Sequence, residues 1–171
     1  MTRLFILFIA ACVGMACQSK KLRFDEQLHR QNCPENGNCD LRIYTDKGVE
    51  TKKDEFNASY QELYTAEGSH VLEFEYVRNT SPEIQDDQYR EIIRIEFDDD
   101  LQALSLTNKE LNQVKVSLTR LCNCRGATGV YPIDQGSLKM RRQNGKIELD
   151  LKFSLSEVPH EIHSIQEVFS Y

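Results

Sequence analysis

The chain has 171 residues, with 21 Lys and Arg against 27 Asp and Glu and a hydrophobic fraction of 40%. That length suits one domain with a buried core. A net charge of −6, with no dense basic cluster, argues against a nucleic-acid partner, because affinity for a phosphate backbone comes from Lys and Arg neutralising phosphates.

At the N-terminus Arg3 precedes residues 4–16, a run without charged side chains. A membrane-spanning helix needs about 20 apolar residues, so this run is too short. A positive start, a short apolar stretch and small residues at its end describe an export signal that is removed. Gly14, Met15, Ala16 and Cys17 resemble the lipobox of bacterial lipoproteins, although Gly14 stands where that family usually has a branched aliphatic residue. The resemblance covers the first seventeen residues. It implies acylation of Cys17, with Cys12 as the alternative after Ile9, Ala10 and Ala11. It further implies an exported protein held in the bacterial cell envelope by its N-terminal lipid, the membrane being its first partner. Gln18 in place of Asp after the cysteine implies the outer membrane where the organism has one. The expected organisation is a signal peptide over 1–16, a tether and Cys-containing loop over 17–40, and a single β-rich domain over 41–171. Removing 1–16 takes away only Arg3 among charged residues, leaving 20 basic and 27 acidic side chains, a net charge of −7.

Residues 20–40 are poor in apolar side chains and include Cys33, Pro34, Gly37 and Cys39, the composition of a tether entering a constrained loop. Residues 41–45 alternate and stop at Asp46, Lys47 and Gly48, a strand followed by a hairpin turn. Phe56, Tyr60, Leu63 and Tyr64 fall at i, i+4, i+7 and i+8, which predicts a helix over 54–66 ended by Gly68. Leu72, Phe74 and Tyr76 then alternate with Glu73 and Glu75, a half-buried strand. After a polar loop over 79–88, Ile93, Ile95 and Phe97 alternate with Arg94 and Glu96 in a strand over 89–97. Residues 101–107 and 113–122 give two more strands, with a hairpin through 108–112 between them. Segments 138–142 and 146–155 flank Gln143, Asn144 and Gly145, and Asn-Gly supplies the positive φ angles of a type I′ turn. Ile147, Leu149, Leu151, Phe153 and Leu155 mark that sheet's buried face. Residues 164–171 form the last strand. The fold class is therefore mostly β, an antiparallel β-sandwich of seven or eight strands with one short helix, jelly-roll-like topologies included.

Cys33, Cys39, Cys122 and Cys124 remain after the anchor, and in an oxidising compartment an even number reads as disulfides. Residues two apart on an extended strand have Cα atoms about 6.6 Å apart, at the edge of the disulfide range. The expected links therefore run from the Cys33/Cys39 loop to the Cys122/Cys124 pair. The cysteine gaps do not match zinc knuckles, and no metal or other cofactor is expected. His160 and His163 are three apart, not four as in the His-Glu-x-x-His arrangement. Asp98, Asp99 and Asp100 lack the alternate spacing of a calcium loop. Arg125, Gly126, Thr128, Gly129 and Tyr131 form a candidate binding loop, since exposed loops on rigid sheets commonly carry function.

No catalytic motif is present and no catalytic residue is assigned. The leading reading is a non-enzymatic binding or structural domain of the envelope with a protein or glycan partner. The alternatives are a thiol- or metal-handling protein centred on Cys122 and Cys124, and a hydrolase using Glu73, Glu75, Glu96 or Asp150, which act as a pair only where the fold brings two together.

Overall fold

The computed structural model describes residues 22–81, 83 and 86–171; the expected signal peptide over 1–16, with Cys12, and Cys17, Lys20 and Lys21 lie outside them. Its strands are β1 (Arg23–Phe24), β2 (Gly37–Lys53), β3 (Ser59–Arg78), β4 (Tyr89–Asp98), β5 (Ala103–Thr107), β6 (Ser117–Cys122), β7 (Gly129–Pro132), β8 (Gly136–Gln143), β9 (Lys146–Phe153) and β10 (Ser164–Ser170), with one helix, α1 (Glu26–Asn32). They form two five-stranded antiparallel sheets, ordered β1-β10-β9-β8-β5 and β2-β3-β4-β6-β7. This is the expected β-sandwich. Its runs β2-β3-β4 and β8-β9-β10 are meanders, whereas a jelly roll is built from two Greek keys.

The two-residue period of the sequence decides which side chains meet between the sheets. Leu72, Phe74 and Tyr76 of β3, Ile93, Ile95 and Phe97 of β4, and Ile147, Leu149, Leu151 and Phe153 of β9 are buried in one core. The β8–β9 turn has the predicted chemistry, with positive φ at Asn144 (53°) and Gly145 (73°).

Residues 23–40, read from composition as tether and loop, are instead part of the fold. Leu22 and Phe24 already pack on the core. Asp25 caps α1 by accepting from the backbone N–H groups of Gln27 and Leu28. From α1, His29 reaches into the sandwich, where its Nδ1 lies 2.7 Å from Oε1 of Glu167, a β10 residue with no exposed surface. A polar pair in this position persists because each group satisfies the other.

The expected helix over 54–66 is not formed; α1 is the one α-helix among the described residues, and residues 59–66 belong to β3. Side chains four apart share a face in a strand as well as in a helix, so Tyr60 and Tyr64 fit both periods. Phe56 sits in the turn between β2 and β3, 83% exposed. That turn also replaces the one expected at Asp46, Lys47 and Gly48, because β2 runs through these residues. What happens at Asp46 is a bulge: residues 66–69 of β3 stand opposite it alone, and Asp46 (φ 54°) accepts from the Gly68 N–H. Bulges bend the strands that carry them. The distal part of the β2–β3 hairpin consequently leaves the plane and lies as an arm over the outer face of its own sheet. Gln61 on the arm donates to Ser117 Oγ at 2.8 Å and accepts from Arg94 and Thr119, all outer-face residues of β6 and β4.

Residues 108–112 are not a hairpin either. β5 and β6 belong to different sheets, and Asn108–Val114 form a 3-10 turn that buries Leu111 and Val114 while crossing between them.

Leu151→Ala should cost about 2 to 5 kcal/mol in denaturant titration, because it empties a core site, while Lys152→Ala on the opposite face should stay within about 0.5 kcal/mol. The His29–Glu167 pair predicts a pH dependence. The hydrogen bond to Glu167 raises the His29 pKa from its ordinary 6.5, so the folded chain keeps a proton there that the unfolded chain has released. The stabilisation is fully present below pH 6.5 and is lost as pH rises through the raised value. Urea midpoints measured upward from pH 6.5 should fall across that window, and His29→Gln should flatten the slope.

Candidate functional site

Strand register carries two cross-sheet rows to one end of the sandwich. Asn38, Val77, Arg90 and Leu121 stand side by side on β2, β3, β4 and β6, next to the row Gly37, Arg78, Tyr89 and Cys122. Alternation points Val77, Arg90 and Leu121 to the outer face, beyond the part covered by the arm, and leaves Val77 and Leu121 each 37% exposed. Together with Arg78, Tyr89 and Cys122 they line a groove of about 780 Å³. Sequence reading singled out only Cys122 among these residues and passed over the others, since each looks like an ordinary member of a strand; only the register of three non-adjacent segments assembles them.

Beneath the groove lies a buried polar cluster. The guanidinium groups of Arg78 (4.7 Å) and Arg120 (5.1 Å) both lie over the Tyr89 ring, a geometry favourable to cation–π attraction. Its hydroxyl donates to Glu91 and accepts from Arg120 Nε. Burial, reinforced by the Glu91 contact, pushes the Tyr89 pKa up to about 12, so the phenol stays protonated as a donor. Glu91 also accepts the backbone N–H groups of Glu161 (2.7 Å) and Ile162 (2.9 Å), tying the β9–β10 connection to β4. Arg120 donates to the Ala127 carbonyl and so holds the loop after β6.

That loop carries the second disulfide. The bonds are Cys33–Cys39 and Cys122–Cys124, not the expected cross-links between the two regions. Two facts overturn the expectation. Cys39 and Cys122 lie on β2 and β6, three strands apart in the sheet, or about 14 Å at 4.8 Å per strand, far outside disulfide reach. β6 also ends at Cys122, so the chain turns and brings its Cα to 5.1 Å from that of Cys124. Thr128 secures the same turn by donating to the Cys122 carbonyl at 2.7 Å.

The candidate binding loop stands beside the groove rather than lining it. Arg125, Gly126 and Thr128 are exposed, while Gly129 and Tyr131 are residues of β7. Gly129 (φ 153°) lies where an added Cβ would come within 3.0 Å of Ser59 Oγ, the atom through which the arm accepts from the Val130 N–H.

The acids considered for catalysis do not converge as free carboxylates. Glu73 is 3% exposed and accepts from Arg94 Nη2 (2.6 Å), Arg94 Nε, Arg42 and Tyr44. Glu75 pairs with Arg42 and Arg90, and Glu96 with Lys115. Asp150 is on β9 of the other sheet. His160 stacks on Phe153 at 5.4 Å with its ring 4.4 Å from that of His163, and no group of three or more metal-ligating side chains occurs among the described residues.

Replacing Glu73 by Gln leaves the Arg94 guanidinium without its carboxylate against a sheet face, while Arg42 keeps Asp40 and Glu75, and should destabilise the fold by about 3 to 5 kcal/mol, measurable by urea titration. Arg120→Met should cost about 1 to 3 kcal/mol and accelerate tryptic cleavage after Arg125, because the loop loses its Ala127 tie. No family model, curated protein or solved structure matches this chain.

Proposed function

We propose that the chain is a lipid-anchored protein of the bacterial cell envelope whose domain binds a protein partner, without catalysis, through the groove at the Cys122 end of the sandwich. The observation that carries this reading is the groove itself: exposed Val77 and Leu121 beside Arg78 and Arg90, which pair with Asp87 and Glu75, form a mixed apolar and charged recess on rigid strands. Apolar surface with a few placed polar groups is what recognition sites require. Glu73, Glu75 and Glu96 are engaged in ion pairs, which counts against a carboxylate hydrolase.

The position of the groove supports the same reading. Arg23 pairs with Ser170, and the neighbouring Tyr171 packs against His70 and Phe97. The groove sits at the opposite end, near Tyr89 and the 161–162 backbone. From Phe97 to Tyr89 is about 26 Å at 3.3 Å per residue. With acylation at Cys17, five peptide units separate the anchor from Leu22, a reach of about 17 Å. The short tether holds the Arg23 end at the bilayer and presents the groove away from it. No helix among the described residues is long and apolar enough to cross a membrane, and the proposed attachment is the lipid.

Metabolic labelling with an alkyne fatty acid tests the anchor: the parent and Cys12→Ser should take label and Cys17→Ser should not. An unlabelled parent, or loss confined to Cys12→Ser, would reject the assignment. For the groove, a photo-reactive residue at position 121 should give a discrete adduct in intact cells that Arg90→Glu suppresses; an adduct indifferent to Arg90 would remove the groove from the reading.

A further inference from the structure

We propose that Cys122–Cys124 is an exchangeable disulfide that takes up the electrons of a reduced cysteine pair on a polypeptide seated in the adjoining groove. The proposal rests on the groove reading above and names the chemistry of its partner.

The two disulfides of this protein differ in what they hold. Cys33–Cys39 closes a seven-residue loop between α1 and β2, whereas Cys122–Cys124 closes three residues within one turn and joins no separate elements. A smaller closed loop constrains the unfolded chain less, so less stability depends on it. The turn is also secured without the bridge. Thr128 donates to the Cys122 carbonyl and Arg120 to the Ala127 carbonyl, so opening the bond leaves the loop in place and ready to close it again.

The surroundings favour exchange. Reactive cysteines sit in partly exposed, electropositive positions. Cys122 and Cys124 are both partly exposed, and the exposed Arg125 beside Cys124 has no ion pair among the described residues. Cys122 lines the groove and Cys124 does not. This assigns the order of events. A substrate thiolate arriving in the groove attacks Cys122 Sγ; a sulfur–sulfur bond forms, the Cys122–Cys124 bond breaks, and Cys124 leaves as a thiolate beside Arg125. The substrate's second thiolate then attacks the mixed disulfide and displaces Cys122. The substrate is oxidised by two electrons to its disulfide, the Cys122/Cys124 pair is reduced by two, and the two protons pass from the substrate thiols to the pair. The reaction reverses when the polypeptide arrives as a disulfide and the pair is reduced.

The test uses the oxidised full chain with a synthetic peptide containing two reduced cysteines among apolar and acidic residues. After acid quench and alkylation, mass spectrometry reads each cysteine. Cys122 and Cys124 should become alkylated as one peptide disulfide forms per chain, with Cys33–Cys39 still closed. When the same peptide is supplied as its disulfide, the free Cys122 thiolate of Cys124→Ser should attack it and accumulate peptide joined to Cys122, with the peptide's other sulfur released as a thiolate, and Cys122→Ser should not. Leu121→Asp should lower the exchange rate about tenfold, the loss expected when a buried leucine contact is removed, while Leu121→Met retains it. A peptide left reduced, or both disulfides opening at the same glutathione ratio, overturns the proposal. A matching peptide with serine for cysteine separates the two readings: if it binds the groove while the bridge stays closed to the cysteine peptide, exchange fails and partner binding stands. Exchange that this peptide does not compete overturns the assignment to the groove.

Discussion

A carboxylate removed from water is stable only where cations and donors replace its hydration, and Glu73 meets that condition from four directions. Arg94 holds it from β4, Arg42 and Tyr44 from β2, and the arm lies above. The sheet can bury its second face because that face is lined with complementary charge. Without the arm, Glu73, Arg94 and Ser117 would form an ordinary solvated surface; with it they form a polar layer in which Gln61 is the shared partner. The bend at Asp46 and Gly68 is therefore a precondition for the architecture. It turns a hairpin of 17- and 20-residue strands, too long for one flat sheet of this size, into cover for the same sheet.

The two ends of the sandwich are built differently. At the Tyr171 end, aromatic rings close the core: Tyr171 meets His70 at 5.1 Å and Phe97 at 6.4 Å, and Arg142 donates to its hydroxyl. At the Cys122 end the closure is polar, through Glu91, Tyr89 and Arg120. Those groups fix two connections at once, the one after β6 and the one before β10. A groove floored by such a cluster keeps its shape, while the residues facing outward above it are held only by the strands that bear them. Rigid support under an open surface suits recognition, and the placement of a disulfide at its rim gives recognition a covalent outlet.

The chemistry proposed for that rim follows from how little the Cys122–Cys124 bond does for the fold. Cys33–Cys39 links the C-terminal end of α1 to the edge strand β2 and belongs to the scaffold. Cys122–Cys124 lies within a turn already fixed by Thr128 and Arg120. A bond with a small structural role, set beside a recess and a guanidinium with no ion pair among the described residues, suits the exchange proposed for it.

The sequence by itself determined the inner faces of the central strands. Alternation at Leu72, Phe74 and Tyr76, at Ile93, Ile95 and Phe97, and from Ile147 to Phe153 could be read because burial between sheets imposes a period of two on the chain. The Asn144-Gly145 turn was equally legible, since its φ angles demand particular residues. Only the tertiary structure decided the rest. Tyr60 and Tyr64 suit either period, and the choice fell to pairing with β2 and contact with β4, β6 and β7. The capping signal of Asp25 was present in the chain, but a seven-residue helix has little stability of its own, and α1 persists through Phe24 and His29 on the core. The disulfide partners were set by strand order, which no spacing of cysteines reveals. The groove joins Val77, Arg90 and Leu121 from three strands, and residues that distant along the chain become neighbours only once register is fixed.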